Sequence, residues 1–305
     1  MRVFVTGASG HIGSAVVPEL LQAGHEVVGL ARSESSAAMV EAAGAQVHRG
    51  DLDDLDGLRE AVRAADGVIH LAFKHEAMRT GDFMGAIDAD MKAQQAMGQV
   101  LEGTGKPYVS TSGTLQLAFG GIAGRPGTEE DVVAGRPRVD AENFIAALGK
   151  SGVRSSVVRL PPLVHSYLDH HGFGPTLIAI AREKGVSGYP GDGANRWPAV
   201  HTLDAARVYR LALERAAAGS RLHAVADHGV PFSEIATAIA NKLDLPVVSV
   251  AAEEVPEHFS FLGPFITLDN VVSSDLTGEW LGWKPEHPGL IEDLSADHYY
   301  QPVAG

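Results

Sequence analysis

Cysteine is absent from the 305 residues, which excludes a disulfide framework, a thiolate nucleophile and a Cys-ligated metal site. Basic residues are in deficit, 24 Lys and Arg against 38 Asp and Glu, for a formal net charge of -14. That balance argues against nucleic acid and against an anionic membrane surface as partners, while leaving room for a local basic pocket around a phosphorylated small molecule. The sequence contains no apolar run long enough to span a bilayer and no secretory leader pattern, so a cytoplasmic location is expected. Internal repeats and low-complexity tracts are missing as well. With 45% hydrophobic and 20% charged residues, the composition suits one large α/β unit or two lobes around a cleft.

The richest stretch lies at the start, Val3-Phe4-Val5-Thr6-Gly7-Ala8-Ser9-Gly10-His11-Ile12-Gly13. An apolar, β-branched strand breaks into a glycine turn, and an amphipathic helix follows at once. Glycines permit a tight turn and close backbone approach, and a helix N-terminus offers free N–H groups to a pyrophosphate. The spacing is G-x-x-G-x-x-G, and its setting between strand and helix makes a dinucleotide cradle the expected reading. Gly7, Ser9, Gly10, His11, Ile12 and Gly13 are the cradle candidates.

Strands are predicted at Arg2–Thr6, Glu26–Leu30, Gln46–Arg49, Gly67–His70, Tyr108–Thr111 and Ser155–Arg159. Helical patterns fall between them at His11–Ala23, Ser36–Ala43, Leu55–Ala64, Phe83–Glu102 and Val139–Gly149. This alternation predicts an α/β fold, a Rossmann-type doubly wound parallel sheet with its ligand crevice at the C-terminal strand ends. Residues 1–160 are expected to form the NADP-binding domain. Residues 161–305, punctuated by Pro161, Pro162 and the Gly172-Phe173-Gly174-Pro175 turn, form a smaller C-terminal substrate lobe interleaved with the last sheet strands. Its helices are expected near Pro175–Lys184, Leu203–Ala217 and Phe232–Leu243.

At the end of the second strand, Ala31 stands where an NAD-selective site carries an acidic residue, followed by Arg32 and Ser33. A carboxylate repels a 2′-phosphate, whereas a guanidinium and a hydroxyl bind it, so NADP(H) is the expected cofactor. Arg32 also reads as a plain exposed loop cation. Asp51 is placed to accept from the adenine amino group and Leu52 to pack on its ring, although Asp51 or Asp53 equally suits capping of the next helix. Ala72 and Phe73 follow strand four, where small and apolar residues let the cofactor approach.

Thr6–Gly13, Gly50-Asp51-Leu52, His70-Leu71-Ala72, Ser110-Thr111-Ser112, Arg159–His165 and Val200–Ala206 together resemble the short-chain dehydrogenase/reductase superfamily, in its extended NAD-dependent epimerase/dehydratase branch. The resemblance runs nearly end to end. It implies a Tyr-x-x-x-Lys pair on the helix after strand five, with a Ser or Thr after that strand to orient a carbonyl. No Tyr-x-x-x-Lys occurs in this chain. Aligning Ala141-Glu142 with the end of that motif puts Gly135 at the Tyr position and Val139 at the Lys position, which narrows the likeness to atypical members. Ser112 falls at the family's Ser position and Asp90 where an Asn is usual. Pro161 lies where the chain is expected to pass the nicotinamide.

Reduction needs a proton delivered to a developing alkoxide. Ser112, Tyr167 and Asp90 are the catalytic candidates, with His165, His201, Lys74 and His75 as further cleft residues. Asp90 also reads as a partly buried helix carboxylate paired with Lys92 or with a backbone group. His165, His170 and His171 read as loop histidines without a metal, His201 as scaffold, Trp197 as packing or substrate contact, and Trp280–Pro285 as a docking turn. The expected activity is NADPH-dependent reduction of a small carbonyl compound. A nucleotide-sugar epimerase or dehydratase and a non-catalytic NADP(H) sensor are the alternatives. A homodimer through Phe83–Glu102 and Val139–Gly149 is the expected assembly.

Overall fold

The computed structural model describes residues 1–74 and 82–301. The first half runs β1 (Arg2–Thr6), α1 (Gly13–Gln22), β2 (Glu26–Ala31), α2 (Glu34–Ala42), β3 (Gln46–Arg49), α3 (Leu55–Arg63), β4 (Gly67–His70), α4 (Phe83–Leu101), β5 (Pro107–Gly113), α5 (Leu115–Phe119), α6 (Pro137–Ala147) and β6 (Arg154–Leu160). Then follow β7 (Leu163–His165), α7 (Phe173–Lys184), β8 (Ser187–Pro190), β9 (Arg196–His201), α8 (Thr202–Arg215), β10 (Ser220–His223), β11 (Asp227–Pro231), α9 (Phe232–Leu243) and β12 (Val247–Val250). Four short helices close the described chain, α10 (Val255–Phe259), α11 (Gly263–Ile266), α12 (Asp275–Leu281) and α13 (Leu290–Leu294).

Seven strands form one sheet in the order β10-β6-β5-β4-β1-β2-β3, every neighbouring pair parallel. The chain winds from β1 to one side through β2 and β3, then to the other through β4, β5 and β6. The reversal lies between β1 and β4, where a doubly wound fold opens its ligand crevice. Strand alternation sends Val3, Val5, Ile69, Val109 and Val158 to a face shared with α1 and α8, through Val16, Leu20, Tyr209 and Leu213. Phe4, Val68, Tyr108 and Val157 point the other way, onto α3, α4 and α6 through Leu58, Val62, Met97 and Ile145. Both faces are buried, which is why these strands read as nearly continuous apolar runs.

After Leu160 the chain builds a three-stranded sheet, β11-β9-β7, and a two-stranded one, β12-β8, around a core that includes Trp197, Phe232, Ile235 and Phe259. Strand β10 returns to the edge of the main sheet beside β6. Five predicted helix starts shift by one or two residues, those of α1, α2, α6, α7 and α8. Helix α1 begins at Gly13 rather than His11, because Gly10 to Ile12 still belong to the turn. Helix α6 begins at Pro137 rather than Val139, proline being well suited to a first helical position, where no N–H is needed.

Candidate functional site

The glycine turn is packed without slack. Gly7 has φ +69°, and a Cβ there would lie 2.7 Å from the Ala72 backbone N. A Cβ on Gly13 would lie 2.1 Å from the Gly7 carbonyl oxygen. Gly10 N–H donates to the Gly7 carbonyl, and Ser14 N–H to that of Gly10. The N–H groups of His11, Ile12 and Gly13 have no protein acceptor among the described residues. Three such donors at a helix N-terminus fit a pyrophosphate, so the residues present suit a dinucleotide. Ser9 stands beside them in the same turn.

At the outer tips of β2 and β3, register pairs Ala31 with Arg49. Arg49 Nη1 donates to the Ser33 carbonyl at 3.2 Å and Nη2 to Glu34 at 2.7 Å. Arg32 and Ser33 are exposed. The Ser33 hydroxyl accepts from Ser36 N–H and caps α2. Arg49 is a cation the sequence reading passed over, since only the β2–β3 register reveals that it stands beside Arg32 and Ser33. Asp51 accepts the N–H groups of Asp53 and Asp54, but the α3 cap is Asp54, which accepts from Gly57. Asp53 pairs with Lys74 at 2.6 Å. Leu52 is buried against the apolar core beneath. His75 lies outside the described residues.

The inner tips, β4 to β6, carry side-chain networks instead. Ala72 N–H donates to Thr6 Oγ1, which hydrogen-bonds His70 Nδ1 at 2.7 Å. His70 Nε2 reaches Asp90 at 2.9 Å, and Asp90 also accepts from Gln94 at 3.0 Å and Arg138 at 3.1 Å. Asp90 is 2% exposed. Its carboxyl is held below the usual range because burial, which raises it, is outweighed by the His70 hydrogen bond and the charges of His70 and Arg138. Its charged partner is thus Arg138 on α6, not Lys92 on its own helix. The Arg138 guanidinium lies 4.0 Å from the centre of the Phe73 ring, a cation–π contact.

Ser112 stands on β5 opposite Arg159 on β6 and is 4% exposed. Its hydroxyl makes no hydrogen bond of ordinary geometry but contributes to holding the Glu142 carboxyl low. Glu142 is also buried, which opposes that shift, and it receives Arg159 and Arg221. Arg159 is wholly buried and further bonded to His223 and to the Thr128 and Asp131 carbonyls. The Gly135 and Val139 positions carry no chemistry. Gly135 precedes the helix at φ +77°, and Val139 is core beside Leu117 and Val272. Arg138, the next-door residue, is the one that faces the strand tips. Pro161 is buried between β6 and β7, and Tyr167 is 57% exposed.

A second polar cluster joins the turn to the lobe. His11 Nε2 hydrogen-bonds Thr202 Oγ1 at 2.8 Å, and its Nδ1 lies 3.6 Å from Asp169. His165, read as a loop residue, is instead buried at the end of β7 and bonded to Asp293 at 2.9 Å. His201 accepts from Leu203 N–H and stacks on His287, 4.6 Å between ring centres. His170 and His171 are exposed, and no group of three or more potential metal ligands occurs among the described residues. Arg196 is bonded to Asp269, Trp197 is fully buried, and Trp283 Nε1 donates to the Asp204 carbonyl, docking its turn on α8.

Two relatives more than 40% identical span nearly all of the chain. An uncharacterised protein of Schizosaccharomyces pombe is 49% identical over 98% of this chain and all of its own length. One from Saccharomyces cerevisiae is 42% identical over 98% and 99%. A farnesyl dihydroquinoline-oxide ketoreductase of Stigmatella aurantiaca is 29% identical over 60% of this chain and 56% of its own. Among solved structures, a dTDP-glucose 4,6-dehydratase of Streptomyces venezuelae with NAD bound superposes with a TM-score of 0.76 at 22% identity, covering 97% and 95%. The model of the NAD dependent epimerase/dehydratase family matches residues 3–225, and the chain belongs to that family.

Proposed function

We propose that the protein is an NADPH-dependent reductase of a small carbonyl compound. The observation that carries the cofactor choice is the pairing of Ala31 with Arg49 at strand ends that also hold Arg32 and Ser33. Two guanidinium groups and a hydroxyl at that edge suit a 2′-phosphate, and no carboxylate occupies position 31 to accept from a ribose hydroxyl. The N–H groups of His11, Ile12 and Gly13 would hold the pyrophosphate, with Ala72, Phe73 and Pro161 along the rest of the crevice. Reduction is supported by family membership and by the relative named as a ketoreductase.

When bound, NADPH supplies a hydride to the carbonyl carbon. Ser112, at the end of β5, is the candidate to donate toward the carbonyl oxygen, and Tyr167 the candidate on the lobe side. Asp90 acts here as a positioning residue, because its two oxygens already accept from three donors. A second reading, a non-catalytic NADP(H) sensor, is favoured by the burial of Ser112 and the lack of Tyr-x-x-x-Lys. The test is consumption of NADPH, with NADH in parallel, over a panel of aldehydes, ketones and diketones. The expected result is turnover that prefers NADPH, with the preference lost in the Arg32→Ala/Arg49→Ala double variant. Tight NADPH binding with no turnover would establish the sensor instead.

A further inference from the structure

Arg138 is the most informative group for which the sequence reading had no role. It sits in the first turn of α6, where a cation gains nothing from the helix dipole. Its Nη1 is anchored to Asp90, and its plane lies over Phe73 at the end of β4. Asp90 is itself fixed by His70 and Gln94, and His70 by Thr6, the residue that opens the glycine turn. Four residues from β1, β4 and α4 therefore hold one guanidinium at the inner strand tips. Its Nε and Nη2 donors have no acceptor among the described residues. Its side chain keeps 21% of its exposure, whereas the Arg159 guanidinium nearby is sealed in. A pre-oriented cation with unused N–H groups beside a dinucleotide crevice is the arrangement that stabilises developing negative charge.

We propose that Arg138 is a catalytic residue that binds the substrate oxygen, and that Asp90 positions it. This rests on the reductase reading above. Bound NADPH would supply the hydride to the carbonyl carbon and be left as NADP+, and the C=O π pair would move onto oxygen. The Arg138 N–H groups hold the resulting alkoxide by hydrogen bonds. The guanidinium keeps its own protons at working pH, so the alkoxide would take its proton from a solvent water, which leaves as hydroxide to be neutralised by the buffer, and the product departs as the alcohol. This arrangement serves carbonyl reduction in a chain without the Tyr and Lys pair.

The experiment compares wild type with Arg138→Ala, Arg138→Lys and Asp90→Asn, all checked by thermal melts. NADPH affinity is read by fluorescence, turnover by NADPH consumption, and binding of benzoate to the NADP+-loaded protein by calorimetry. Benzoate is the probe because its carboxylate mimics the alkoxide charge. Arg138→Ala is expected to lower kcat by about 10²–10³-fold, the loss typical of one oxyanion donor. NADPH affinity should stay within about twofold, benzoate binding should be lost, and millimolar guanidinium should restore both turnover and benzoate binding. Arg138→Lys, which lacks the planar fork, should recover little. Weakened NADPH affinity with kcat unchanged would overturn the proposal, making Arg138 a cofactor contact. A wild type without turnover would sink the reductase reading alone. In that case Arg138-dependent, guanidinium-restored benzoate binding would still support an oxyanion site, and its absence would overturn it.

Discussion

The two ends of the crevice are built by different means. The outer end, at β1, β2 and β3, is mostly backbone: a glycine turn with three N–H groups that have no acceptor among the described residues, and exposed side chains at the β2 and β3 tips. The inner end, at β4, β5 and β6, is built of side-chain networks, Thr6–His70–Asp90–Arg138 on one side, where Arg138 keeps exposed donors, and the buried Glu142–Arg159–Arg221 set on the other. A site for a pyrophosphate needs only donors and room. A site for chemistry needs charges held still in low dielectric, and each such charge must be matched. No Tyr-x-x-x-Lys occurs in the chain, and side-chain networks occupy the inner end.

This difference is sharpest in Glu142→Gln, the substitution with the largest expected effect. It would leave Arg159 and Arg221 facing a neutral amide at the end of β6, with Arg159 wholly buried. Removing one partner of a buried ion pair costs about 3–5 kcal/mol, because the surviving charge is stranded. Urea denaturation should show that loss, while NADPH affinity of the folded fraction changes little. A loss under about 1 kcal/mol, the range of exposed pairs, would mean the inner network is not the rigid frame inferred here.

Gly13→Ala probes the outer end and should cost less in stability but more in cofactor. A methyl group 2.1 Å from the Gly7 oxygen forces the turn and α1 apart. Overpacking of this kind costs about 1–3 kcal/mol, and the displacement moves the very N–H groups that the pyrophosphate needs. NADPH binding should vanish by fluorescence titration while the chain still melts cooperatively. Retained affinity would show that the cradle lies elsewhere. The two variants together separate a stability defect at one end from a binding defect at the other.

The same contrast explains what was legible in the sequence. Strands β1, β3 and β4 match their predicted bounds residue for residue, and α9 does too, because apolar period and turn residues are local signals. The glycine turn was legible for the same reason. Arg138 was missed by one residue of register, since Pro137 starts the helix earlier than the apolar pattern does. Arg49 needed the β2–β3 register, and the His165–Asp293 bond joins positions 128 residues apart. Nothing local marks such partners. The inner end was therefore readable only as a set of candidate residues, whereas the outer-end glycine turn was readable as a motif.

The smallest expected effect lies between the two ends, in the cluster that ties the turn to the lobe. Burial pushes the Asp169 carboxyl up to about 7, against the N–H groups of Gly172 and His171 that oppose it. Burial and neighbouring imidazoles push His11 and His201 down to about 4. Unfolded Asp titrates near ~3.9 and unfolded His near ~6.5. Folded Asp169 holds a proton that the unfolded chain has lost, so its contribution is full below about pH 4 and disappears as pH rises through 7. Folded His11 and His201 refuse protons that the unfolded chain accepts, so their contribution is full above about 6.5 and is lost as pH falls through 4. The slopes oppose each other across the same window, but one carboxyl stands against two imidazoles, so wild-type stability should still rise with pH there, with a slope of about one proton. Asp169→Asn keeps an acceptor for Gly172 N–H and removes only the carboxyl's titration. Relative to wild type, the variant should lose stability on acidification from pH 6.5 to 4 and gain it at pH 8, seen as melting temperatures that cross. Parallel profiles would mean that Asp169 titrates normally and that the tie between the turn and the lobe is held by the His11–Thr202 hydrogen bond alone.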